Sequence, residues 1–256
     1  MLSNITANNS RLKSIGLFIA YLAAALFIMS LIQSPGLVNE RAGVNSMSNF
    51  TAHKPFMYRA LTPILVRTIE TITPEMIIGP VNARFSDYML KHSQNQFADI
   101  HPDKLADISR SGYRIIAFEI LNLAFLVGYL YCLRYLARSL NLLSASWCDL
   151  IPLGMMVAIP IYFNYGNFMY DFAALFFFVL GLIFLYKGKW NIYLPLFFFA
   201  ILNKETAVLL IVIFATYYLG ARHASSRARS MAGVSWGRPG GLPPTSINSI
   251  NYFQKL

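Results

Sequence analysis

Long apolar runs separated by short basic segments set the rhythm of this chain. The first runs from Ile15 to Ile32 behind Arg11 and Lys13, close to the roughly 20 residues a helix needs to cross a bilayer core. It exceeds a signal-peptide core, and the following Gln33-Ser34-Pro35 offers no small-x-small cleavage site, so an uncleaved signal anchor is expected. A second run covers Tyr113 to Leu133, followed by Arg134 and Arg138. The third spans Cys148 to Phe163, and the fourth Phe168 to Tyr186, ahead of Lys187 and Lys189. Two half-length runs, Ile192 to Leu202 and Ala207 to Leu219, flank the polar block Asn203-Lys204-Glu205-Thr206. Arg222, His223, Arg227 and Arg229 come next.

With the N-terminus inside and the runs alternating, every short basic segment falls on the cytoplasmic side, while the connection from Asn164 to Asn167 carries no positive charge. The pattern predicts an all-α integral membrane protein of about six transmembrane helices over residues 1–221. Both termini are then cytoplasmic in a multi-pass protein of the inner membrane. The last pair is the exception in length, because 11 to 13 residues rise only about 17 to 20 Å as helix against a core of about 30 Å. A single tilted helix through both runs would bury Lys204 and Glu205 near mid-membrane and send the basic tail outside, against the positive-inside rule.

Between the first two spans lies a large extracytoplasmic loop, residues 33–112. Leu61, Ile64, Leu65, Ile69 and Ile72 recur at helical spacing, with Arg59, Arg67 and Glu70 off that stripe, so an amphipathic helix is expected. Pro63 falls in its first turn, where proline is tolerated. The helix either lies along the outer membrane surface or packs against the spans. Pro74, Gly79 and Pro80 punctuate the stretch after it. Asp99, Asp103 and Asp107 share one face of any helix there, which reads as a solvated acidic face before a metal site. From Arg222 the composition turns to Ser, Arg, Gly and Pro, which predicts a disordered cytoplasmic tail over 222–256. The break also suggests a natural continuation into further spans.

Composition agrees with the pattern: 56% of residues are hydrophobic and 12% charged, against about a quarter charged in soluble domains. The net charge of +10 lies beside apolar runs and forms no stripe with stacking aromatics, so nucleic acid is not an expected partner. Cys132 and Cys148 form no framework or paired metal motif. No nucleophile elbow, Walker loop, dinucleotide fingerprint or zinc motif occurs, and no cofactor is called for.

Ionisable groups at membrane depth are the chemistry-bearing feature, since each costs a few kcal/mol unless it meets a partner or water. Glu119, Asp171 and the Lys204-Glu205 pair all fall toward the outer side, and no comparable acid is expected in the inner halves. Tyr162, Tyr165 and Tyr170 flank that level as an interfacial belt or a stacking platform. If Lys204 and Glu205 form a polar site rather than a solvated hairpin cap, they should approach Asp171 and the Tyr58–Arg59 region.

The blocks His53-Lys54-Pro55-Phe56-Met57-Tyr58-Arg59-Ala60-Leu61-Thr62-Pro63, Asn167-Phe168-Met169-Tyr170-Asp171 and Leu202-Asn203-Lys204-Glu205-Thr206 resemble polytopic bacterial membrane proteins of the GT-C glycosyltransferase type. The resemblance implies sugar transfer from a polyprenyl-phosphate donor at the outer interface, with an acid of the first loop as base or acceptor-aligning group. Glu40 matches that position, although it is followed by Arg41, Ala42 and Gly43 in place of the family's paired acids. Lys54, Arg59 and Lys204 would then neutralise the phosphate, with Asp171 and Glu205 completing the substrate site. Two other classes fit the same residues. A transporter or lipid flippase would line its route with Glu119, Asp171, Lys204 and Glu205, and in a non-catalytic scaffold the charges would only pair with one another.

Overall fold

The structure is a computed structural model that describes residues 2–32, 43–54, 56–96, 111–141, 143–163 and 168–220. Among these residues the regular structure is entirely helical. It comprises α1 (Leu2–Leu31), α2 (Val44–Ser48), α3 (Leu61–Ile72), α4 (Glu75–Gln96), α5 (Gly112–Ser139), α6 (Ala145–Tyr162), α7 (Asp171–Tyr186), α8 (Trp190–Asn203) and α9 (Glu205–Gly220). A 3-10 turn, Phe56–Tyr58, precedes α3, and the first turn of α9 is also 3-10. The expected acidic face at Asp99, Asp103 and Asp107, the expected tail over 222–256, and Tyr165 lie outside the described residues.

Among the described residues, three helices are long and apolar enough to cross a membrane: Arg11–Leu31 within α1, then α5 and α6. The remaining apolar helices are shorter. With 16 and 14 residues, α7 and α8 rise about 24 and 21 Å. Large apolar side chains face outward all along these helices, among them Phe27, Ile120, Ile161 and Phe198. That distribution suits a lipid surround, where packing and small residues rather than the hydrophobic effect hold helices together.

The chain divides into two units, Met1–Val212 and Ile213–Leu256. In the first, α5 is the central element and packs against α1, α3, α4, α6 and α7. Its lower half forms a core with α1, α6 and α7, centred on Tyr21, Leu126, Leu130, Met156 and Phe172. Its upper half joins Val44, Met47, Val66, Met169 and Tyr170 in a second core, which seats the first loop on that end of the helices. Of the second unit residues 213–220 are described; they are helical, and Phe214 stacks on Tyr218.

Local sequence explains the reversals that position the site. Past α5, Asn141 adopts a left-handed φ of 52°, a conformation asparagine tolerates at a helix end. After α7, Gly188 takes a φ of 64°. Its amide donates to the Leu185 carbonyl and that of Lys189 to the Phe184 carbonyl, each at 3.0 Å, a Schellman arrangement that turns the chain into α8. Lys204 is extended (φ −160°, ψ 134°), which separates α8 from α9. The Tyr193 hydroxyl donates to the Leu210 carbonyl at 3.0 Å, with both residues buried. In one straight helix those residues would stand about 25 Å apart. Within the first unit the chain therefore breaks at Lys204 and brings Leu210 back against Tyr193, so one straight helix through this block is excluded.

The first loop departs from expectation in two respects. Gly79 and Pro80 do not interrupt the chain: α4 runs through both, because a proline in the second turn forfeits one hydrogen bond while the turns around it still propagate. The α3 stripe is also rotated. Leu61, Thr62, Pro63 and Val66 are buried, whereas Ile64 and Ile72 are exposed. Packing against α2, α5 and α8 selects the face that carries Thr62, whose hydrogen bond to Asn203 offsets its polarity.

Candidate functional site

Four of the expected site residues converge where α3, α7, α8 and α9 meet. Asp171 opens α7, and its carboxylate takes a 2.8 Å hydrogen bond from the Phe168 backbone amide. Its second oxygen lies 2.7 Å from Lys204 Nζ. The side chain of Asp171 is 4% exposed and that of Lys204 21%, so this ion pair is largely withdrawn from solvent. Beside it, Arg59 reaches Glu205 through a fork: Nε donates at 2.9 Å to one carboxylate oxygen and Nη2 donates to the other. Arg59 is 12% exposed while Glu205 is 60% exposed. One pair is interior, the other opens outward.

Tyr170 joins the two pairs. Its ring is buried, with the Arg59 guanidinium 4.2 Å and Lys204 Nζ 5.1 Å from its centroid, within reach of the negative ring face. Phe168 stacks on the same ring at 5.8 Å, and Phe56 adds a further wall against Phe168 and Arg59. The tyrosine is thus a buried platform for cations and not part of an interfacial belt. Tyr162, 77% exposed, is the residue placed as a belt would require.

Backbone placement rests on Asn203, the last residue of α8. Its amide nitrogen donates to the Tyr170 carbonyl and its oxygen accepts from the Thr62 hydroxyl, both at 2.8 Å. All three residues are buried, so each bond removes a desolvation cost of roughly 1 to 3 kcal/mol. Asn203 thereby fixes α3 and the start of α7 against the break that exposes Lys204 and Glu205.

The electrostatics follow from these contacts. The hydrogen bond from Arg59 holds the Glu205 carboxyl below its ordinary range, against a smaller opposing effect of burial. Burial works against the charge of Arg59, but Glu205 and Tyr170 together outweigh it and raise the guanidinium.

The other expected residues stand apart. Lys54 is exposed ahead of the 3-10 turn and makes none of these contacts. Glu40 lies outside the described residues. Glu119 is half-buried on α5, two turns in from its N-terminal end. A further pair, Glu70 with Arg114, clamps α3 to α5 through Nε at 2.9 and 2.8 Å from the two carboxylate oxygens.

The expectation of acids on the outer side alone is corrected by Asp149. It sits in the first turns of α6, at the end of the bundle opposite to Arg59, and its side chain is 10% exposed. Arg134 Nε and Arg138 Nη2 donate to one of its oxygens at 2.7 and 2.6 Å, and Lys13 Nζ lies 3.5 Å from the other. Its position just after Cys148 reads as the edge of a span. Arg134 and Arg138 hold a carboxylate there because they fold back from the end of α5.

Comparison with known families, characterised proteins and solved structures finds no match to this chain.

Proposed function

We propose that the chain is a multi-pass membrane protein of glycosyltransferase type with six helical passes and both termini cytoplasmic, acting on a polyprenyl-phosphate-linked sugar at the outer interface of the inner membrane. One observation carries this reading: an outward-facing Arg59–Glu205 fork lies beside an interior Lys204–Asp171 pair, with the Tyr170 ring between them. A guanidinium that binds a carboxylate through two nitrogens has the geometry to bind a phosphate in the same way. In the proposed reaction an acceptor hydroxyl attacks the anomeric carbon and the bond from that carbon to the phosphate oxygen breaks. The lipid phosphate departs with the bonding electron pair, and Arg59 and Lys204 neutralise it. The hydroxyl proton passes to a carboxylate, a role the family resemblance gives to Glu40.

A second reading is favoured by the mutual pairing of Arg59, Glu205, Lys204 and Asp171. In it the charges are latches of a non-catalytic scaffold that dock the first loop. Exchanging the partners of the outward pair separates the two. Arg59→Glu combined with Glu205→Arg restores a charge pair but gives up the Arg59–Tyr170 contact, so the thermal midpoint should fall by the same modest amount in both cases. For the enzyme, the swap should abolish transfer of radiolabelled sugar from polyprenyl-phosphate donors by the purified protein. If the folded parent transfers nothing from any donor that sustains an authentic membrane glycosyltransferase in parallel, the enzymatic reading is overturned.

A further inference from the structure

Asp149 stands behind a basic depression at the opposite end of the bundle from Arg59, paired to two of its lining residues. The last turns of α5 open into a cavity of about 490 Å³ lined by Tyr131, Arg134, Tyr135, Arg138 and Ser139. Lys187, which caps the end of α7, places its Nζ 4.4 Å from the Tyr135 ring centroid at the rim. Lys13 of α1 approaches Asp149 at 3.5 Å. Two cations of the lining and two neighbours thus accompany a single carboxylate, Asp149, and this end of the bundle carries a local excess of three positive charges.

Arg134, 23% exposed, and Arg138, 41% exposed, each commit one nitrogen to Asp149, and Lys13 and Lys187 stand exposed nearby. Asp149 therefore orients the two guanidiniums without consuming their donors, since each has five N–H groups in a rigid fork. The tyrosine rings supply an amphipathic wall beside them, polar at the tip and apolar along the body.

We propose that this depression binds the phosphate of an anionic phospholipid headgroup, with Arg134, Arg138 and Lys187 as the phosphate contacts and Tyr131 and Tyr135 against the glycerol and upper acyl carbons. Basic pockets between helices at the cytoplasmic leaflet are suited to such headgroups, each nearby cation adding about 1 kcal/mol at the surface. The site is independent of the outer ion pairs: it would anchor and orient the bundle whatever reaction the opposite end performs.

The test is native mass spectrometry of the full chain released from membranes of mixed phosphatidylglycerol and phosphatidylcholine with matched acyl chains. The parent should retain phosphatidylglycerol preferentially. Lys187→Gln, which leaves the Asp149 contacts intact, should lower that preference about fivefold, and Lys187→Gln with Arg138→Gln should lower it further. Arg84→Gln, an equal loss of charge on exposed α4, should leave it unchanged. Inorganic phosphate in excess should displace only part of the bound lipid if the acyl region contributes. Complete displacement, with no lipid preference, would support the phosphate contacts but assign them to a soluble phosphate compound. Equal retention of both lipids with no effect of phosphate, or an effect of Arg84→Gln as large as that of Lys187→Gln, overturns the proposal.

Discussion

Lys204 and Glu205 are neighbours in sequence and opposites in environment. Lys204 serves an almost fully buried carboxylate, whereas Glu205 faces outward. Breaking a buried pair leaves an uncompensated charge and costs about 3 to 5 kcal/mol, while exposed pairs contribute about 0 to 1 kcal/mol. Lys204→Met should therefore lower the thermal midpoint markedly in detergent, and Glu205→Gln should barely move it. Similar midpoints for the two variants would show that Asp171 is solvated in the folded protein. The charges themselves were legible in the sequence because Lys204, Glu205 and Asp171 interrupt apolar runs in which every ion is conspicuous. Asn203 and Thr62 were not, since a neutral amide and a hydroxyl gain their meaning only from partners far along the chain. Tyr170 was legible as an aromatic at the right level but not as a buried one. Its burial depends on the loop that closes over it.

At the scale of the helix, the α8–α9 hairpin is held by Tyr193 on one side and by α7 on the other. A Cβ added at Gly181 of α7 would stand 2.9 Å from Leu210 Cδ1, so the backbone of α7 approaches α9 as closely as a glycine permits. Leu210 is fully buried. Gly181→Val should cost about 1 to 3 kcal/mol through overpacking, and adding Leu210→Ala should return part of that loss by making room. Chemical denaturation of the single and double variants measures the coupling, and strictly additive losses would contradict the close approach. The apolar runs made α1 and α5 to α9 visible in advance, while α2 and α4 were not, and the half-length pair was conspicuous because neither run spans a bilayer. Whether they formed a hairpin was not readable. That depends on Lys204 adopting an extended backbone and on a hydrogen bond between Tyr193 and Leu210. The continuity of α4 through Gly79 and Pro80 was likewise hidden, because local propensity favours a break and packing against α5 overrides it.

For the whole molecule, the proposed six-pass arrangement places both termini on one side and the first loop on the other. A periplasm-active reporter inserted near Asn95 should be active, and the same reporter fused after Arg229 should be silent. Activity at the second position would reverse the final pass and remove the topological basis for an outer site. The all-helical, apolar character was legible because membrane segments are written in composition, and among the described residues three helices are long enough to span. The sequence said less about the end opposite Arg59, where Asp149 becomes meaningful only when Arg134, Arg138 and Lys13 gather from two other helices.

The hydrogen bond between Thr62 and Asn203 joins residues 141 positions apart, and this sets an order on biosynthesis. At about 5 to 20 residues per second, the ribosome supplies Asn203 roughly 7 to 28 seconds after Thr62. During that interval the hydroxyl of Thr62 and the carbonyl of Tyr170 await the same amide, and α3 has no completed seat. The first loop is thus synthesised early and fastened late. Its attachment can be completed only once α8 has been made, so the last seat of α3 is supplied by one of the last helices.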